Sequence, residues 1–218
     1  MNQAYVKARY IEDLTPQGFA ALVGLLLNSR KVSMVEEWSC TSPLIIAGVL
    51  TGKEPTDSDI QAVSKGFQEL AKLGMVEKYH GYYRVEYSEF ERFDEKFICL
   101  EEDEVRAILN SDEEVNRFSL LQYFAYLKST FDFSTGVGSY PMTYFAQGSG
   151  KSLLTINKYH GILERLGVLK IFRFRTVATP GGGARHQVNV YCSPKDEEAA
   201  LLFIKEKRKT GNLVDSRS

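Results

Sequence analysis

Residues 147–186 gather the side chains best suited to holding a large anion. Spacing predicts a helix from Ser152 to Leu166, with Leu153, Ile156, His160 and Leu163 turned toward a core and Lys151, Leu154, Thr155, Lys158 and Arg165 turned outward. Ser152 stands where its hydroxyl caps that helix, and the neighbouring N–H groups suit a phosphate. Thr155 and Asn157 carry groups that read base edges, Lys151 and Lys158 suit phosphates or guanine, and Leu154 offers an apolar surface to a thymine methyl. Downstream, Lys170, Arg173, Arg175, Arg185 and His186 lie on or near two strand-like runs interleaved with Ile171, Phe172 and Phe174. Strand alternation sets Arg173 and Arg175 on one face and Phe172 and Phe174 on the other. The tip between the runs, ATPGGGA, lets a hairpin approach a minor groove closely, with Arg185 placed to enter it. Together these groups suit non-covalent recognition of duplex DNA.

Patterns that suggest other chemistry fail on inspection. QGSGKS (147–152) resembles a phosphate-binding loop, but the glycine required five residues before Gly150 is replaced by Phe145, and no strand precedes it. TPGGGAR opens no helix, so it is not a dinucleotide fingerprint. His80, His160 and His186 are scattered, and Cys40, Cys99 and Cys192 have no metal-ligand spacing. No catalytic centre, metal or cofactor is expected, so the chain reads as a binding protein rather than an enzyme.

The elements that position these residues recur along the chain. Leu70, Leu73, Gly74, Met75 and Val76 match Leu163, Leu166, Gly167, Val168 and Leu169 in type and spacing. Each set closes a helix and leads into two short strands, which is how a winged helix-turn-helix domain reads. The expected fold is therefore mainly α with small β-hairpin wings (α+β), two winged helix-turn-helix domains in tandem. In the first copy the helical stripe is Ile60, Val63, Phe67, Leu70 and Leu73 behind a Thr56 cap, and the wing turns at His80–Gly81. Asp57 and Asp59 stand at its start, where carboxylates favour the helix dipole and repel phosphate. That domain is expected to contact protein, as a dimerisation or partner surface anchored by Trp38, Tyr82 and Tyr83. A weaker accessory DNA contact through Lys65, Lys78 and Arg84 stays open.

Charge follows the same division. The net charge of −1 conceals 15 Lys/Arg against 7 Asp/Glu in residues 117–218, and 12 against 21 before them. The predicted domains are 1–95 and 96–208, followed by a disordered tail, 209–218. Residues 87–102 are read as a charged, irregular boundary and STGVGSYP (134–141) as a loop. Further helices are predicted over 15–28, 43–50, 101–110, 118–131, 142–147 and 194–207. Apolar runs such as 20–27 and 44–50 fall short of the roughly 20 residues that span a bilayer. No secretory leader pattern opens the chain, and an odd number of separated cysteines fits reduced thiols, so a cytoplasmic, nucleoid-associated protein is expected.

The segment SLLTINKYHGILERLGVLKI, with Ser152, the Thr155–Ile156 pair and the Leu–Gly ending, resembles the second recognition helix of plasmid and phage replication initiators of the tandem winged-helix type. FICLEEDEVRAIL before LLQYFAYLKS is similar to the lead-in helices of initiator and primosome-type domains. The resemblance implies binding to repeated origin sites as a dimer or larger assembly, with recruitment of replication proteins, or a role in partition. Two other expectations fit the same elements: a winged-helix transcriptional regulator, and a non-DNA scaffold subunit of a chromosome-organising complex.

Overall fold

Apolar side chains at helical spacing, with local caps and left-handed glycines at the ends of α3, α4, α7 and α8, shape the helices of the computed structural model. It describes residues 2–29, 38–86, 96–174, 177–178, 184–185 and 188–209. The chain divides into two compact units, Met1–Ser129 and Thr130–Ser218.

In chain order the first unit holds β1 (Gln3–Lys7), α1 (Tyr10–Asp13), α2 (Pro16–Ser29), β2 (Trp38–Thr41), α3 (Pro43–Thr51) and α4 (Asp57–Lys72). It continues with β3 (Glu77–Tyr79), β4 (Tyr82–Glu86), β5 (Phe97–Glu101), α5 (Glu102–Leu109) and α6 (Arg117–Ser129). Ser42 caps α3, and the left-handed Gly52 (φ 67°) ends it. Thr56 and Asp59 form a reciprocal capping box at the start of α4. Phe19, Leu22 and Leu25 of α2 are fully buried, as are Phe67 and Leu70 of α4. Close approach of α2 and α4 requires Gly66, where an added Cβ would lie 2.3 Å from the Gln17 carbonyl oxygen. β2, β4 and β3 form an antiparallel sheet in that order, and the β3–β4 turn places His80 (φ 45°) and Gly81 (φ 86°) in left-handed conformation.

The second unit holds β6 (Val137–Tyr140), α7 (Met142–Ser149), α8 (Leu153–Arg165), β7 (Lys170–Phe172), β8 (Val177–Ala178), β9 (Ala184–Arg185), β10 (Asn189–Cys192) and α9 (Glu197–Lys209). Here the antiparallel sheet runs β6-β10-β7, and β8 and β9 pair as a separate two-stranded ribbon. Val137, Val190, Cys192, Ala200 and Ile204 form a buried cluster beneath α9, with Phe172 and Phe174 packed against it.

The protein is thus α+β with small antiparallel sheets. One order of elements occurs twice along the chain: α2, β2, α3, α4, β3, β4, and then α6, the last helix of the first unit, followed by β6, α7, α8, β7 and, after the inserted β8–β9 ribbon, β10. In each case the last strand lies at the centre of its three-stranded sheet. The repeated Leu–Gly motif has one physical role in both places. Gly74 N–H donates to Ala71 O (3.1 Å) and Met75 N–H to Leu70 O (2.9 Å); Gly167 N–H donates to Glu164 O (3.0 Å) and Val168 N–H to Leu163 O (3.1 Å). Gly74 and Gly167 take φ of 72° and 69°, so each helix closes in the same glycine-terminated turn.

Three features depart from the sequence reading. Residues 97–101 are a strand, because Ile98 and Leu100 alternate inward and the backbone pairs with β1, Gln3 opposite Glu101. That pairing brings 96–129 into the first compact unit, so the division falls after Ser129 rather than after residue 95. Val137–Tyr140, within the expected loop, is a strand paired with β10, Val137 opposite Cys192. The expected tail from 210 onward lies outside the described residues.

Candidate nucleic-acid interface

α7 is closed by Gly150 (φ 64°), and only Lys151 and the Ser152 cap separate it from the start of α8, so the two helices are joined by a tight turn. Gln147–Ser149, the start of the phosphate-loop look-alike, are the last turn of α7. The Ser152 hydroxyl accepts from Thr155 N–H (3.1 Å) and contacts the Thr155 hydroxyl (2.9 Å), as the cap requires. Ile156, Tyr159, His160, Ile162 and Leu163 are buried.

The opposite face carries Leu154, Asn157, Lys158 and Arg165, all exposed, with Gly161 between them at helical spacing. Leu154 is 81% exposed. Leu153, expected to face the core, is 49% exposed. The Ser152 cap makes it the first helical residue, outside the reach of the buried stripe that begins at Ile156. Thr155 is half-buried, with its hydroxyl turned to Ser152. Lys151 holds its ammonium 5.9 Å from the centre of the Tyr159 ring.

An aromatic cluster fixes this face in place. Phe145 of α7, His160 of α8 and Tyr191 of β10 have ring centres 5.7, 5.0 and 5.3 Å apart, pair by pair. Burial, aided by the Arg173 cation, lowers the His160 pKa to about 4, so the ring is neutral at physiological pH. Burial likewise pushes the Tyr191 phenol up to about 12. The cluster ties both helices to the sheet by packing.

Two cations of the predicted hairpin, Lys170 and Arg173, are engaged within the unit. Arg173 makes a two-pronged ion pair with Glu164, one arm at 2.9 Å, and this carboxylate raises its pKa. Lys170 pairs with Glu197 of α9. Both acids lie on helices flanking the hairpin, Glu164 on α8 and Glu197 on α9. Arg175 and His186 lie outside the described residues, as does the Arg185 side chain, although its backbone in β9 pairs opposite Val177.

The equivalent end of α4 differs. Asp57 is exposed, but Asp59 is buried and bound to Arg117 at 2.5 Å, so one of the two expected outward carboxylates serves the core instead. Closing both helices at their Leu–Gly ends shows why: α4 has 16 residues and α8 has 13, so Asp59 lies inside the first turn where Ser152 is the cap. Tyr83, expected at a partner surface, is a core residue against Phe67, with ring centres 4.5 Å apart. Tyr82 is 52% exposed and pairs across the hairpin with exposed Tyr79. Trp38 contributes its backbone to β2, and its side chain lies outside the described residues.

No protein-family model and no curated protein matches this chain. Gly161 is the residue of the outward α8 face that the sequence reading passed over. A glycine inside a helix, on the face opposite its apolar stripe, was the available signal. Among the described residues no helix is long and apolar enough to cross a membrane, and no group of three metal-binding side chains comes together.

Proposed function

We propose that this chain comprises two winged helix-turn-helix domains in tandem and that the second binds duplex DNA through α8, in replication or partition of a plasmid or phage genome. The observation that carries the reading is the outward stripe of α8. Leu154, Asn157, Lys158, Gly161 and Arg165 stand clear of the core on a helix locked by an aromatic cluster, at the second position of a helix–turn–helix pair. The repeated element order and the matching sheet orders support the fold assignment. Charge supports the partner: Thr130–Ser218 holds 13 Lys/Arg against 7 Asp/Glu, whereas Met1–Ser129 holds 14 against 21. The acidic first unit exposes Leu73, Tyr79 and Tyr82 at the β3–β4 end, which favours a protein contact there, with a second copy or a replication protein.

The test is an amide-resolved NMR titration of the intact protein with a duplex of random sequence. Shifts concentrated in 150–165 and the adjoining hairpin are expected. Shifts confined to 57–72, or none at low salt, would refute the assignment.

A further inference from the structure

The tip of α8 is poorly equipped for guanine and well equipped for A·T pairs. Its two hydroxyls, Ser152 and Thr155, are turned to each other by the cap. Lys151 lies against Tyr159. What the first two turns offer outward is Leu153, Leu154 and the Asn157 amide, with Lys158 beside them. No arginine occurs among residues 151–158, so the tip of the helix lacks the guanidinium fork that most often reads guanine, and Lys158 is its exposed cation. Two leucines so exposed on an otherwise polar face need a partner surface. The cations on the same face, Lys158 and Arg165, favour an anionic polymer over an apolar protein groove. The major groove of DNA supplies one apolar group, the C5-methyl of thymine, and an adenine edge offers Asn157 a paired donor and acceptor.

Resting on the DNA-binding reading above, we propose that α8 selects A·T-containing sites by packing Leu154, flanked by Leu153, on thymine methyls, with Asn157 on the adjoining adenine. Specificity is then carried mainly by apolar contact, while affinity is carried by the flanking cations.

The experiment selects sites from a random duplex pool with the intact protein and resynthesises the best of them with deoxyuridine replacing thymidine, which deletes only the methyl groups. The selected sites are expected to share an A·T core, and the wild-type protein to lose about four-fold in affinity for each contacted methyl that is deleted. Leu154→Ala, at a position open enough to leave folding intact, is expected to lose much less than wild type on methyl deletion, with Leu153 carrying the remainder. Leu153→Ala is expected to show a smaller loss on methyl deletion than wild type. Equal wild-type affinity for thymidine and deoxyuridine duplexes, or selected sites centred on guanine, would overturn the proposal while leaving DNA binding in place. Absence of any selected or low-salt binding would overturn the DNA-binding reading itself.

Discussion

Replacing Gly161 by alanine separates the stability of α8 from its function. Glycine inside a helix costs about 0.5–1 kcal/mol relative to alanine, because it gives up more backbone freedom on folding. Such a residue is kept where a Cβ would collide, as at Gly66. Gly161 has no such reason: a Cβ there would meet only the tip of Arg165 at 3.5 Å, an ordinary contact. Gly161→Ala should therefore stabilise the free protein by about 0.5–1 kcal/mol, which raises the melting temperature of a chain this size by about 1–4 °C. Thermal unfolding followed by circular dichroism measures it. If the stripe enters a groove, the added methyl overfills a close contact at a cost of about 1–3 kcal/mol, so DNA affinity should fall about five-fold or more. A lower melting temperature would refute the open-face geometry. A higher one with unchanged DNA affinity would refute the close approach of α8 to DNA.

Other consequences follow from the same packing. Tyr83→Ala should destabilise the protein by about 3–4 kcal/mol in denaturant titration, since the ring is buried against Phe67, whereas Tyr82→Ala should stay within about 0.5 kcal/mol. Arg117→Ala leaves the buried Asp59 carboxylate without its ion pair and should cost about 3 kcal/mol; a loss under 1 kcal/mol would show the pair to be incidental. His160 resists protonation until about pH 4 in the folded state, while the unfolded chain takes up the proton near pH 6.5. Stability from this group is therefore constant above pH 6.5 and falls as pH drops toward 4, by about 3 kcal/mol in all. The His160→Gln variant should show a shallower acid limb; an unchanged limb would place the acid sensitivity elsewhere.

Much of the helical framework was legible because its signals are local. Thr56 and Ser152 cap the helices that their positions predict, and Gly52, Gly74 and Gly167 stop helices in left-handed turns. The strands were harder. Phe97–Glu101 and Val137–Tyr140 owe their conformation to partners at Gln3–Lys7 and Asn189–Cys192, which no window of sequence contains. Helical periodicity separated the two faces of α8 from Ile156 onward but failed at Leu153, where the cap rather than the period decides exposure. Charge pairing was invisible for a similar reason: Arg173 and Lys170 stand on one hairpin, but their carboxylates, Glu164 and Glu197, come from helices on either side of it. Asp59 sits at an exposed-looking helix start, yet it is claimed by Arg117, 58 residues away.

The central claim is that α8 grips the DNA backbone and bases, and salt dependence tests it most directly. Affinity of the intact protein for random duplex DNA is measured across a salt series, beside a Lys158→Ala/Arg165→Ala variant that leaves the Arg173–Glu164 and Lys170–Glu197 pairs whole. The account predicts a steep fall of affinity with salt for the wild type and a shallower slope for the variant, by about 0.9 for each phosphate that the variant no longer neutralises. Equal slopes, or no binding at low salt, would contradict it.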